Sequence, residues 1–178
     1  MFEFPDGLAP EVYPLAWLVG RWRGTGEINH PEVGQRAFTN EIVFDHDGGP
    51  YLRFESSIRV NESAGPEGPV LEEVWSAETG YWRIPPERPD ELPAEQHPLE
   101  VLLADASGRL SLFLGTIGNG QVHLATDFVA RTATATSVTA AKRLYGNVEG
   151  RLLWAEELAA FGHPLRNYAS AELDRVTD

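Results

Sequence analysis

The chain contains no cysteine, which excludes disulfides, thiolate nucleophiles and thiolate-held metals and removes any redox sign of secretion. Cations are scarce: 14 Lys and Arg stand against 27 Asp and Glu, a formal net charge of -13. A surface that tracks phosphates needs the opposite balance, so neither nucleic acid nor an anionic membrane is an expected partner. Long apolar runs are missing too. No window reaches the roughly 18 unbroken apolar residues of a membrane-spanning helix. Met1 to Ala9, with Glu3 and Asp6, has neither the basic start nor the apolar run of a signal peptide. These absences predict a cytoplasmic protein, and a monomer or homodimer is expected; a small-molecule partner is expected from the barrel described next. The length, 178 residues, predicts one domain over 1–178.

Glycine and period-two patterning are what the chain does have. Gly20-Arg21-Trp22-Arg23-Gly24-Thr25-Gly26 follows an apolar turn, Leu15 to Val19. Glycines let a strand bend sharply, and Trp22 gives a rigid body that can plug a curling sheet, so the segment reads as the first strand of a small closed barrel. Before it, Pro10 to Val19 predicts a short helix acting as a plug or lid, with Leu15, Trp17 and Leu18 inward. Phe38, Ile42 and Phe44 share one face of a strand over Gln35 to His46, and Leu52, Phe54, Ile58 and Val60 one face of Tyr51 to Asn61. Asp47-Gly48-Gly49-Pro50 joins them as a hairpin.

An exposed Gly/Pro turn at Asn61 to Pro69 precedes a strand through Val74 and Trp75 and another around Tyr81 to Ile84. Ile84 to Pro98 holds five prolines, cannot pair continuously in a sheet, and reads as a solvated loop, with its opening as a gate left undecided by the sequence. Strands follow at Leu99 to Ala106, Arg109 to Ile117, Gln121 to Arg131, Val138 to Val148, Arg151 to Ala160 and Tyr168 to Val176. With about ten strands joined mostly by tight turns, the chain predicts an all-β, up-and-down antiparallel barrel rather than a sandwich, which needs long crossings.

Few residues carry chemistry. No serine sits in a strand-turn-helix elbow, and no histidine pair has zinc spacing. Glu72-Glu73 and Glu156-Glu157 are neighbours that point to opposite faces of a strand, a poor arrangement for an acid/base pair. Gly118-Asn119-Gly120 is a hairpin turn and not a phosphate loop. Arg143 and Tyr145 share one strand face, Lys142 and Leu144 the other. Inside a barrel, Arg143 with Tyr145 could hold a ligand carboxylate; outside, Arg143 would pair with Glu149 or Glu157.

Three segments together resemble nitrobindins: the GxWxGxG pattern of Gly20, Trp22, Gly24 and Gly26; Val43 to Leu52; and Lys142-Arg143-Leu144-Tyr145-Gly146-Asn147-Val148-Glu149-Gly150. The resemblance implies a ten-stranded antiparallel barrel like that of fatty-acid-binding proteins, with haem b near one open end. A histidine in the last strand of family members holds ferric iron that binds nitric oxide and isomerises peroxynitrite to nitrate. Here the sequence departs from the pattern. After Gly162-His163-Pro164-Leu165, Tyr168 stands where the resemblance puts the histidine, and His30-Pro31-Glu32 replaces a Tyr-Pro-Thr, which puts a carboxyl where a hydroxyl would face the ligand.

The expected pocket positions are therefore Glu32, His46, Lys142 and Tyr168, with no metal ligand and no assured cofactor. Tyr168 either ligates iron as phenolate, helped by Arg166 or Lys142, or fills the vacated space. Its strand parity matches Ser170 and Glu172 and not Ala169, Ala171 and Leu173, so a bulge or a polar interior is needed to bring it inside. His163 is a substitute ligand if its turn folds inward. His46 is expected at the distal haem edge and His30 at the mouth, with His97 and His123 on the surface. The resulting expectation is a nitrobindin-like barrel without its axial histidine, taking a small apolar ligand, or haem weakly if at all. The alternatives are a ferric peroxynitrite isomerase using Tyr168 or His163, with Glu32 or His46 near its distal face, and a lipid carrier.

Overall fold

The computed structural model describes residues 4–63 and 70–177. Ten antiparallel strands pair with their sequence neighbours, and the first closes on the last. They are β1 (Gly20–His30), β2 (Gly34–Asp45), β3 (Leu52–Ser63), β4 (Val70–Arg83), β5 (Gln96–Asp105), β6 (Arg109–Gly118), β7 (Gln121–Arg131), β8 (Val138–Val148), β9 (Arg151–Ala160) and β10 (Arg166–Arg175). Up-and-down closure leaves no free sheet edge.

One end is stoppered by the segment Pro10–Leu18, a 3-10 helix with Pro14 inside it. Three residues per turn eclipses side chains at i and i+3, and Val12, Leu15 and Leu18 follow that spacing with no exposed surface. Trp17, expected inside, is half-buried against the core. The Trp22 indole N–H donates to the Leu18 carbonyl at 2.7 Å, and the Arg175 guanidinium lies 4.1 Å above the Trp22 ring, so plug, first strand and last strand are fastened together.

The glycines of the first motif permit that seam. Gly20 has φ +129, a left-handed conformation that disfavours a side chain. A Cβ at Gly24 would stand 2.0 Å from the Glu172 carbonyl oxygen, and one at Gly26 would stand 2.4 Å from the Phe38 ring. Below the middle of the barrel the interior is filled: Phe44, Phe54, Trp82 and Tyr145 pack in tilted and edge-to-face contacts with ring centroids 5.0 to 5.6 Å apart.

Two readings of the chain need correction. The two short strands expected around Trp75 and Tyr81 are one strand, β4; Ser76 to Gly80 lacks apolar alternation because its inward positions face a cavity instead of core. The proline-rich loop is shorter than expected, since β5 begins at Gln96. Pro98 is accommodated there because β4 pairs with β5 only from Glu100 onward, leaving Pro98 without a second neighbouring strand. Among the described residues no helix is long and apolar enough to cross a membrane.

Candidate functional site

Above the aromatic layer, at the end opposite the plug, the barrel holds a cavity of about 680 Å³. That volume lies within the range of roughly 300–1,000 Å³ typical of small-molecule sites. Two β-bulges shape it. Ile58 pairs with Ser76 and Arg59 with Val74, so Trp75 is the extra residue of β4. Asn167 pairs with Glu157 and Ala169 with Glu156, so Tyr168 is the extra residue of β10. A bulge re-aims one side chain, and here both aromatics turn to the cavity, where the Trp75 indole N–H donates to the Tyr168 hydroxyl at 2.8 Å. The awkward parity of Tyr168 is thereby resolved. Burial pushes its phenol pKa up, and the Trp75 hydrogen bond offsets only part of that rise.

The cavity floor is charged. Arg143 Nη1 and Nη2 donate to the two oxygens of Glu78 at 2.5 and 3.0 Å, and Arg143 Nε donates to Glu156. All three side chains are buried, between 10% and 14% exposed. Burial lifts the Glu156 carboxyl above its ordinary value, with the Arg143 charge opposing that rise. Desolvation works against the Arg143 charge, but the carboxylates of Glu156 and Glu78 overcome it and hold its pKa well above normal. Tyr145, beside them, is pushed up to about 12 by burial. Nearer the mouth, Arg109 donates to Asp105 at 2.7 Å, and its Nε is buried with no partner. Behind another wall, the lining Trp154 donates its Nε1–H to the buried Asn40 at 2.8 Å, and Asn40 donates to the Ser57 carbonyl at 2.9 Å.

The mouth is tied across two turns. Glu32, after β1, meets His163 Nε2 at 3.0 Å. His30 is only 1% exposed; its Nδ1 accepts the Glu32 backbone N–H and its Nε2 has no partner. Its ring packs on Phe161, His163 and Tyr168, with centroids 5.2 to 6.1 Å away. Burial, then the charges of His163 and Arg166, lower the His30 pKa. Phe161 lines the cavity at φ +55, a backbone conformation strained for a bulky residue.

The expected pocket residues divide accordingly. Tyr168 and Glu32 line the cavity. Lys142 does not: it is exposed on the outer face opposite Glu157. Its parity is that of Leu144 and not of Arg143. His46 does not either, because it follows β2 at the plugged end, half-buried, whereas the cavity opens at the other. The proline loop between β4 and β5 lies at that plugged end too and does not gate the cavity. His97 belongs to β5, half-buried, and His123 is exposed.

Arg143 points inward and pairs with Glu156 and Glu78, not with Glu149 or Glu157. The first partnership was readable: a two-residue turn at Glu149-Gly150 puts Val148 opposite Arg151 and therefore Arg143 opposite Glu156. Glu78 and Trp75 gave no local signal, since they reach the site from β4 across the barrel.

A closed ten-stranded barrel with one roomy polar-floored cavity defines a small-molecule-binding class of fold. Residues 11–175 match the THAP4-like, heme-binding beta-barrel domain family. A "Ferric nitrobindin-like protein" of Beutenbergia cavernae is 44% identical, covering 98% of this chain and 99% of the relative. A "Peroxynitrite isomerase" of Clavibacter michiganensis subsp. michiganensis is 39% identical over 99% and 100%. The crystal structure of Rv2717c from M. tuberculosis superposes with a TM-score of 0.74 at 29% identity, covering 96% of this chain and 99% of that one. The chain belongs to the THAP4-like, heme-binding β-barrel family, the nitrobindin family.

Proposed function

We propose that this protein is a small-molecule-binding nitrobindin-family barrel in which Tyr168 has replaced the axial histidine, so that haem is bound weakly or not at all. The observation that carries this reading is that Tyr168, the extra residue of β10, lines the cavity where the resemblance calls for the histidine, with a lone pair of its hydroxyl oxygen already taken by the Trp75 indole N–H. An iron-ligating phenol must shed its proton, and Tyr168 is held as a neutral phenol by burial.

The other donors do not supply an imidazole in its stead. His163 Nε2 is engaged by Glu32, and His30 is packed against the rings of Phe161, His163 and Tyr168 and does not line the cavity. Among the described residues, then, the donor set does not fit iron held through nitrogen, and the charged floor of Arg143, Glu78 and Glu156 suits a flat apolar macrocycle poorly. A peroxynitrite isomerase using Tyr168 or His163 is disfavoured on the same grounds. Titration of the purified protein with hemin is the test: no tight one-to-one complex with a histidine-type Soret band should form, and its appearance would overturn the reading. We propose a cytoplasmic protein that is a monomer or a homodimer, a choice that sedimentation velocity decides.

A further inference from the structure

Resting on the reading of the cavity as a small-molecule site, we infer that it selects its ligand by charge: it takes a ring-sized molecule that is uncharged or cationic and rejects anions. A buried arginine is the group that could hold an anion inside such a barrel, but the charge of Arg143 is already matched by two carboxylates that take three of its five N–H groups. Its two terminal nitrogens are engaged by Glu78 and its Nε by Glu156. An anion on the two remaining N–H groups would stand beside the carboxylates of Glu78 and Glu156, and one that displaced either of them would leave a buried charge without a partner.

The balance around the cavity points the same way. Glu32, Glu78, Asp105 and Glu156 face it against Arg36, Arg109 and Arg143, four carboxylates to three guanidinium groups, inside a chain of net charge -13. A low-dielectric cleft focuses a field of that sign. The unpartnered Nε of Arg109 belongs to a guanidinium already neutralised by Asp105, so it offers a single N–H to an uncharged acceptor and no counter-charge to an anion. The walls provide the complementary feature. Trp75, Trp154, Phe161 and Tyr168 line the cavity, and aromatic faces receive flat rings and cations alike.

The test holds shape constant and varies charge. Naphthalen-2-ylmethylamine, naphthalen-2-ylmethanol and naphthalene-2-carboxylate are titrated calorimetrically into the full chain at pH 7 and low salt. The amine should bind most tightly, and the carboxylate should bind about tenfold or more below the alcohol, the scale of one unfavourable buried charge contact. In Glu156→Gln the preference for amine over carboxylate should narrow severalfold; Glu78→Gln is the second variant, and thermal melts verify that both fold. If the carboxylate binds as tightly as the alcohol, or if both folded variants keep the wild-type ratio, selection by charge is overturned while the cavity remains a binding site. If none of the three probes binds the folded protein, the small-molecule reading and the charge selection fall together.

Discussion

Trp75 and Tyr168 are each the extra residue of a β-bulge, on strands that are not paired with each other, and they meet inside the barrel through a 2.8 Å hydrogen bond. Each bulge disrupts one ladder locally to re-aim one side chain. The product is a phenol whose hydroxyl is fixed in the place where the family resemblance calls for an imidazole.

Trp75→Phe keeps an aromatic ring and removes the donor. Stability should fall by about 1 kcal/mol, the net worth of one such hydrogen bond, measured by urea denaturation. Because the indole N–H favours the phenolate form, losing it should raise the Tyr168 pKa further. Absorbance titration of the phenol near 295 nm, compared with a Tyr168→Phe control, reads that rise directly.

Removing Arg143 strands two buried carboxylates. Arg143→Met alone should cost about 3–5 kcal/mol, whereas Arg143→Met combined with Glu78→Leu and Glu156→Leu should recover most of the loss, since apolar replacement of a whole buried ion cluster is often neutral. Denaturant midpoints of the single and triple variants decide between a structural cluster of this kind and a dispensable one.

His30 sets an acid limit. Its folded pKa is depressed below 6.5 by burial and by His163 and Arg166, with Glu32 opposing. The folded chain therefore binds fewer protons at this site than the unfolded chain. The stability it contributes is full above pH 6.5 and is lost as pH falls through the depressed value. The melting temperature should drop more steeply below pH 6.5 in wild type than in His30→Leu; parallel curves would contradict this.

Gly26→Ala should loosen the closing seam, because the new Cβ would lie 2.3 Å from the Ser170 carbonyl oxygen and 2.4 Å from the Phe38 ring. Overpacking of this kind costs about 1–3 kcal/mol. A lowered melting temperature with faster amide exchange along β1 and β10 is the expected signature.

The barrel was legible because its hairpins are short and marked, as at Asp47-Gly48 and Glu149-Gly150, and because inward residues alternate cleanly along β2 and β3. The site was legible only in part. Tyr168 could be located from the resemblance, but its direction depends on a bulge, and a one-residue slip leaves no mark in composition. Glu78 and Trp75 were invisible because β4 reaches Arg143 and Tyr168 only once the barrel has closed. Which end of the barrel the proline loop occupies depends on counting every strand, and reading β4 as two reverses it; His46 is misplaced by the resemblance alone, since β1 and β2 already set it at the plugged end.

Among the described residues, no imidazole lines the cavity where Tyr168 stands. Soret-region titration of hemin into wild type and Tyr168→His, side by side, measures what that leaves for iron. Wild type should give a weak, featureless response and Tyr168→His a tight one-to-one complex with an imidazole-type spectrum. A tight imidazole-type complex in wild type would contradict that expectation.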